Sequence, residues 1–322
     1  MQILAIGSTA MVVFVSTRWW SGNLVVDGGS MLAMCLYGFI VLWHSTKIFP
    51  YTWFASTQAK STTRSRDDGS VRIVVSNVEM ENDAYQQWMD VISAVDPDIL
   101  ISLEINKTWL VNITRLTDRY DNCVKCPQDN WYGMMMLSKF PIVESSIRYL
   151  VQDDIPSIDA IIELPGGEQV RVVAVHPRPP EPVRDNDSTS RDAELILHAK
   201  ELEHESRPVI IGGDLNDVAW SYTTRLFLEI SKLLDPRRGR GFFNTFHADH
   251  AWMRFPLDHL FHSTEFTVRD IRRLDAVGSD HFPIMLDLQF EPEREHHHEP
   301  LAASRDDRRQ AEELVARTVE PA

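Results

Sequence analysis

Apolar residues follow three regimes along this chain. Through the first fifty-odd positions they run almost unbroken: Ile3 to Val15 holds only small polar interruptions, and Met31 to Trp43 is nearly uncharged. Runs without alternation predict helices surrounded on all sides by protein or lipid. A spanning helix needs about 20 apolar residues. The second run reaches that length if it extends from about Gly29 to Phe49, and the first is short but starts at the N-terminus. Arg18, Trp19 and Trp20 close the first run, and Pro50, Tyr51 and Trp53 close the second. Trp and Tyr concentrate at membrane–water boundaries. Residues 1–55 are therefore expected to form a membrane anchor of two transmembrane helices. A signal peptide would want a basic start, which Met1, Gln2 and Ile3 lack. A hairpin buried in the protein core is the other alternative.

Residues 56–70 change character. Ser, Thr, Arg and Asp dominate, which reads as a linker. From residue 71 to 290, short strand-like and helix-like runs alternate. Val71–Val75, Asp98–Leu103, Tyr132–Leu137, Ile158–Leu164, Val170–Val175, Pro208–Gly212 and Phe282–Phe290 read as strands. Asp83–Val95, Thr189–Glu205 and Ala219–Ile230 carry helical spacing. The pattern is α/β, and its hairpin-like connections argue against a purely parallel sheet. Residues 291–322 are charged and read as a solvated tail, disordered or helical; the run His296, His297 and His298 belongs to it.

Composition adds limits. The 322 residues carry a net charge of -15, which argues against a protein that coats DNA non-specifically. Of three cysteines, Cys123 and Cys126 form a lone C-x-x-C without the second pair that a zinc knuckle needs. They read as loop cysteines, or as a local disulfide in an oxidising compartment.

Five polar clusters each stand beside an apolar run: Ser76-Asn77, Leu103-Glu104, His176-Pro177, Gly213-Asp214-Leu215-Asn216 and Ser279-Asp280-His281. Carboxylates, amides and imidazoles in this number suit a hard divalent cation plus a phosphoester. Glu104 and Asn77 end strands, where α/β proteins bind ligands. Asp214 and Asn216, two apart, place a carboxylate and an amide on one side of a ligand if the strand geometry persists. Pro177 biases His176 towards an extended backbone. Asp258 is the candidate orienter of the His281 ring, and Asp280 is a candidate metal ligand, directly or through water.

These clusters, with Tyr132-Gly133-Met134, Leu137 to Pro141 and Asp258-His259, stand in an order that resembles the endonuclease/exonuclease/phosphatase superfamily. That group includes pancreatic-type deoxyribonucleases, abasic-site endonucleases, neutral sphingomyelinases and inositol polyphosphate 5-phosphatases. The resemblance covers residues 71–290. It implies a four-layer α/β sandwich and Mg²⁺- or Mn²⁺-dependent phosphoester hydrolysis by in-line attack of water. It further implies that Glu104 is the main metal ligand and that Asn77 and Asn216 support the metal shell and bind phosphoryl oxygens. Asp214 would orient or activate the attacking water, and His281, held by Asp258, would be the second acid/base group or a transition-state contact. His176 matches a position where deoxyribonuclease- and sphingomyelinase-like members carry histidine.

The N-terminal runs, the stretch Phe49 to Thr52, the loop from His176 to Pro180 and Trp220-Ser221 look like bacterial membrane-anchored members, although a third clear span is missing. Lys47, Lys60, Arg64 and Arg66 after the second run would place the domain in the cytoplasm. The resemblance places it on the outer face, and the sequence leaves both open. The expected function is a membrane-tethered, metal-dependent phosphodiesterase or phosphatase at a bacterial inner membrane, with no protein partner inferred. A DNA or RNA nuclease of the same fold is the alternative. Its basic candidates are Arg237 to Arg240 and Arg269 to Arg273. A binding protein on a dead catalytic fold would have lost polar residues, and none of the expected ones is missing.

Overall fold

The computed structural model describes residues 28–179 and 188–319. The first half of the expected membrane hairpin lies outside these residues. The second half forms helix α1, Gly28–Ile48, along which Met31, Leu32, Leu36, Phe39, Leu42 and Trp43 are exposed and Ile48 is buried. Among the described residues, however, no helix is long and apolar enough to cross a membrane. The reason is local. Gly28, Gly29 and Ser30 precede the apolar run, and His44, Ser45, Thr46 and Lys47 follow it. Met31 to Trp43 rises only about 20 Å, short of a hydrocarbon core of about 30 Å.

The α/β reading holds. Six strands form one mixed sheet: β1 (Ser70–Asn77), β2 (Ile99–Leu103), β3 (Asn122–Cys126), β4 (Met134–Ser138), β10 (Phe266–Arg273) and β11 (Ile284–Phe290), in the order β10-β11-β1-β2-β4-β3. Five form the second: β5 (Ile142–Arg148), β6 (Ser157–Glu163), β7 (Gln169–Val175), β8 (Val209–Asp214) and β9 (Asp258–His262), in chain order. Each sheet holds one parallel pair, β1 with β2 and β7 with β8. The crossovers carry α2 (Tyr85–Val95) and α5 (Thr189–Leu202). The short helices α3 (Lys107–Asn112) and α4 (Thr114–Thr117) follow β2, α6 (Tyr222–Ser231) follows β8, and α7 (Arg305–Val319) ends the described chain.

Alternation along the strands feeds two cores at once. In β1, Ile73 and Val75 face the other sheet while Val74 faces Trp88 and Ile92 of α2. In β7, Val172 and Ala174 face inward while Val173 and Val175 meet Leu195 and Phe227 of the helices. Strands covered on both faces read as continuous apolar runs, which is why the sequence betrays them. The strands it does not betray, β3, β5, β9 and β10, are the four edge strands; β3 and β5 carry largely exposed side chains, and β9 and β10 mix apolar with charged or His residues.

The segment read as a linker is packed. Ala59 is fully buried, and Ser61 bridges to Val268 at the edge of β10. Lys60 O accepts from Val268 N at 2.8 Å, and Gln58 Oε1 accepts from Asp235 N at 3.1 Å. Its Ser and Thr residues cover a sheet edge. The tail is likewise ordered: Ala311, Leu314 and Val315 of α7 join the core under α5 and α6. His298 Nδ1 accepts from Lys60 N at 3.2 Å. Cys123 and Cys126 are free thiols on opposite faces of β3, as a spacing of three dictates in a strand.

Tyr51 shows how firmly the pre-domain segment is held. It is 3% exposed, and its hydroxyl donates to Ala219 O at 2.6 Å. Tyr51→Ala should cost about 3 kcal/mol in urea unfolding. A chain starting at Asp67 should melt below one starting at Phe49. Equal stability of the two chains would show that the segment is an appendage.

Candidate active site

The two parallel pairs end on the same rim. Asn77 closes β1, Glu104 follows β2, His176 follows β7 and Asp214 closes β8. Asp258 opens β9, which is antiparallel to β8 and sets Asp258 opposite Asp214. All these side chains are buried or nearly so. The close approach of β7 to β8 needs Gly213: a Cβ there would sit 1.8 Å from Val175 O.

Asp214 is the hub. Its Oδ2 accepts from Asn77 Nδ2 at 3.2 Å and lies 3.5 Å from His281 Nε2 and 3.9 Å from His176 Nε2. Its Oδ1 accepts from Asn216 N at 2.9 Å. Asn77 Nδ2 also donates to Glu104 Oε1 at 2.9 Å, so one amide joins both carboxylates. Glu104 Oε2 accepts from Met80 N at 3.1 Å. Glu104 and Asn216 adopt φ of 63° and 50°, conformations that cost a non-glycine residue about 1 kcal/mol or more. Asn216 is held by Pro177 O, which accepts from its Nδ2 at 3.0 Å, and by Arg191 Nη1, which donates to its carbonyl at 2.8 Å.

Asp258 and His281 meet: the Asp258 Oδ2 lies 2.7 Å from His281 Nδ1. Backbone bonds complete the placement, because Ser279 Oγ donates to Asn77 O at 2.9 Å and accepts from His281 N at 2.9 Å. Burial alone would lower the His281 pKa, but the Asp258 and Asp214 carboxylates outweigh it and lift it to about 10. The ring is an imidazolium at neutral pH. His176 goes the other way, held neutral by burial, with its Nδ1 unpartnered. Asp214 and Glu104 are both pushed upward, chiefly by burial.

Asp280 stands beside this group. Its carboxylate is 4.0 Å from His281 Nε2, and its backbone N–H donates to Glu79 Oε2 at 3.0 Å. Glu79 went unread in the sequence, although it lies only two residues past Asn77 and shares the site. A cleft of about 560 Å³ opens over the group, lined also by Trp131, Tyr132, Arg178 and Phe246. Arg178 is held by Asp154 at 2.9 Å and lies over the Tyr132 ring.

Two places suit a cation on geometry. Asp214, Asp258 and His281 offer ligand atoms within 4.8 Å of one another. That trio is better read as a hydrogen-bonded relay, because Nδ1 already serves Asp258 and the ring is charged. Glu104 fits a metal better. It is a half-buried carboxylate without a Lys or Arg partner among the described residues, and the Asn77 amide and the Asp214 and Glu79 carboxylates surround it. Uncompensated buried charge is expensive, and hard oxygen donors suit Mg²⁺ or Mn²⁺.

The chain belongs to the endonuclease/exonuclease/phosphatase family, whose sequence pattern matches residues 74–281. No curated protein matches it significantly by sequence. Solved structures do match. The human Nocturnin catalytic domain with bound sulfate superposes with a TM-score of 0.57 at 16% identity, covering 75% of this chain and 99% of that one. D. rerio TDP2 complexed with single-strand DNA product gives 0.57 at 15% identity, covering 68% and 99%. A family member from Bacteroides thetaiotaomicron gives 0.56 at 18% identity, covering 71% and 98%. At such identities the likeness is one of fold.

Folding raises the His281 pKa from 6.5 to about 10. Its protonated ring therefore stabilises the fold fully below pH 6.5, and this contribution fades as pH climbs through about 10. The stability gap between wild type and His281→Gln in urea should narrow steadily across that interval. A gap independent of pH would mean that the ring is not charged in the folded state.

Proposed function

We propose that the protein is a membrane-tethered, divalent-metal-dependent hydrolase of phosphoesters. The arrangement that supports this most directly is Asn77 joining Glu104 to Asp214 beside the His281–Asp258 pair. Each group has a chemical role that its environment suits. Glu104 and Asn77 would hold Mg²⁺ or Mn²⁺, with Asp280 and Glu79 as outer carboxylates. The metal would supply electrostatic stabilisation of charge on the phosphoryl oxygens. Asp214, made more basic by burial, takes a proton from the attacking water at Oδ2. His281 offers its Nε2 proton to the phosphoryl or leaving oxygen, and Asp258 fixes the ring for that transfer. Asn216 retains one amide hydrogen beyond its bond to Pro177 O, and His176 contributes a neutral ring. Both face the substrate's phosphoryl oxygens.

A small phosphoester or a lipid head group suits the cleft better than a long nucleic acid. Glu79, Glu81, Asp154 and Asp280 line it, and among its described lining residues Arg178 is the one Arg or Lys. The basic clusters lie elsewhere, and two of their arginines are paired: Arg237 with Asp235 at 2.8 Å, and Arg269 with Asp287 at 3.5 Å. A polyanion would meet repulsion at this mouth. Tethering is supported by the exposed apolar side chains of α1 (Leu32, Leu36, Phe39 and Leu42 are all more than half exposed) and by the apolar run Ile3 to Val15 before it. A bacterial inner membrane is the proposed location.

A substrate panel with Mg²⁺ or Mn²⁺ tests this reading: bis-p-nitrophenyl phosphate, phospholipid head groups, inositol phosphates, RNA and plasmid DNA. Small diesters or head groups should turn over faster than DNA, and EDTA should abolish the reaction. Rapid DNA cleavage would favour the nuclease alternative.

Glu104→Gln should remove a buried charge. The metal-free variant should melt higher than wild type, its Mg²⁺-induced rise in melting temperature should vanish, and activity should return only in part at raised Mn²⁺. Full activity of Glu104→Gln in EDTA would refute the metal mechanism. His281→Ala and Asp258→Ala should each lower turnover by about 10² to 10⁴. Because the two act as one unit, the double variant should lose far less than the product. Additive losses at unchanged melting temperature would count against the pairing.

A further inference from the structure

A second cleft, of about 540 Å³, lies at the foot of α1, between the helix end and the start of α6. It is absent from the chemistry described above. Its lining differs from that of the active site: Lys47, Arg225 and Arg238 bring three cations, Glu229 brings one carboxylate, and Trp43 and Trp220 bring aromatic surface. This local excess of positive charge occurs on a chain of net charge -15. Among the described residues neither Lys47 nor Arg238 makes an ion pair within 4 Å, although Arg238 is near enough for its charge to act on Glu229. Each lies instead over a ring, Lys47 Nζ 4.8 Å from the Trp43 centroid and Arg238 5.9 Å from that of Tyr51. Arg225 and Glu229 are 3.6 Å apart, and Glu229 Oε2 is buried without a hydrogen-bond donor.

Along α1 the order is apolar first, then aromatic, then cationic: Leu32 to Leu42, Trp43, Lys47. A lipid leaflet presents the same order from tails to head group. The rise of about 20 Å from Met31 to Trp43 spans one leaflet of a core about 30 Å thick. A lipid whose tails lie along the helix would deliver its phosphate to Lys47 and Arg238. A hydroxyl on the head group would meet the unpartnered oxygen of Glu229.

We infer that this cleft binds the head group of an anionic, hydroxyl-bearing phospholipid from the membrane that holds α1. The inference rests on the tethering reading but not on the hydrolase reading. It places the bilayer against Tyr51, and hence against the buried chain Tyr51, Arg237 and His259 that leads to β9. The Arg237 guanidinium lies over the Tyr51 ring at 6.0 Å and donates to His259 Nδ1 at 2.7 Å.

The test uses the full chain in neutral-detergent micelles, with the unfolding midpoint followed as phosphatidylglycerol, phosphatidylcholine or glycerol phosphate is added. Phosphatidylglycerol should raise the midpoint saturably, and the other two should do little. Each cation near a lipid surface is worth about a factor of five, so Lys47→Ala with Arg238→Ala should weaken the effect by about thirtyfold. Lys47→Glu alone, at an exposed side chain, should weaken it as well. Equal responses to both lipids would overturn the inference and leave tethering intact. An equal response to glycerol phosphate would make the cleft a soluble-phosphate site and overturn it too. A chain that stays monodisperse in buffer without detergent would overturn both readings.

Discussion

The structure is organised around one buried carboxylate. Asp214 comes from the second sheet, Asn77 from the first, and His281 from the turn that enters β11, and they meet at a single oxygen, Oδ2. A charge removed from water is costly unless neighbours compensate it. Here the compensation comes from an amide, an imidazolium and a backbone N–H, each delivered by a different element. The same interaction therefore locks the sheets at their common rim and sets the protonation of the groups that would do chemistry. Electrostatics in this low-dielectric setting are strong enough to hold His281 charged against its own burial.

The sandwich makes that meeting possible. Strands buried on both faces cannot slip by one residue without exchanging two cores. The register of β1 on β2 and of β7 on β8 is thereby pinned, and with it the height of Asn77, Glu104, His176 and Asp214 above the sheets. Crossovers through α2 and α5 bring both parallel pairs to end on the same side, the usual position of an α/β ligand site. The loops then need only small adjustments. Gly213 admits the Val175 carbonyl, and Ser279 ties the His281 turn to Asn77.

The N-terminal segment is bound into this frame. Tyr51 caps the buried Asp235–Arg237 pair, Arg237 holds His259, and the other nitrogen of that ring meets Asp217 O at 2.9 Å, just beyond Asn216. Burial first, then the Arg237 charge, keep His259 neutral, with a pKa near 3. A continuous polar chain thus runs from the foot of α1 to the loop beside the active site. Its position gives the apolar helix a mechanical connection to β9 that a flexible linker would lack.

Much of this was legible in the residues themselves. Strands buried on both faces leave uninterrupted apolar runs, and the polar cluster beside each run marks where a side chain reaches the rim. This is how Asn77, Glu104, His176, Asp214 and His281 stand out, and why the α/β class follows. Edge strands such as β3 and β5 leave no such trace, because water covers their side chains. Composition also misled at Ser56 to Ser70, where hydroxyl and charged residues cover a sheet edge, and in α1, where flanking polar residues shorten the apolar run. Only the tertiary structure decided that Glu79 joins the site, that Asn77 links Glu104 to Asp214, and that His281 is charged while His176 is neutral. Those outcomes depend on distances between groups far apart in sequence and on the water excluded around them. Protonation follows from both, and neither is written in the order of the residues.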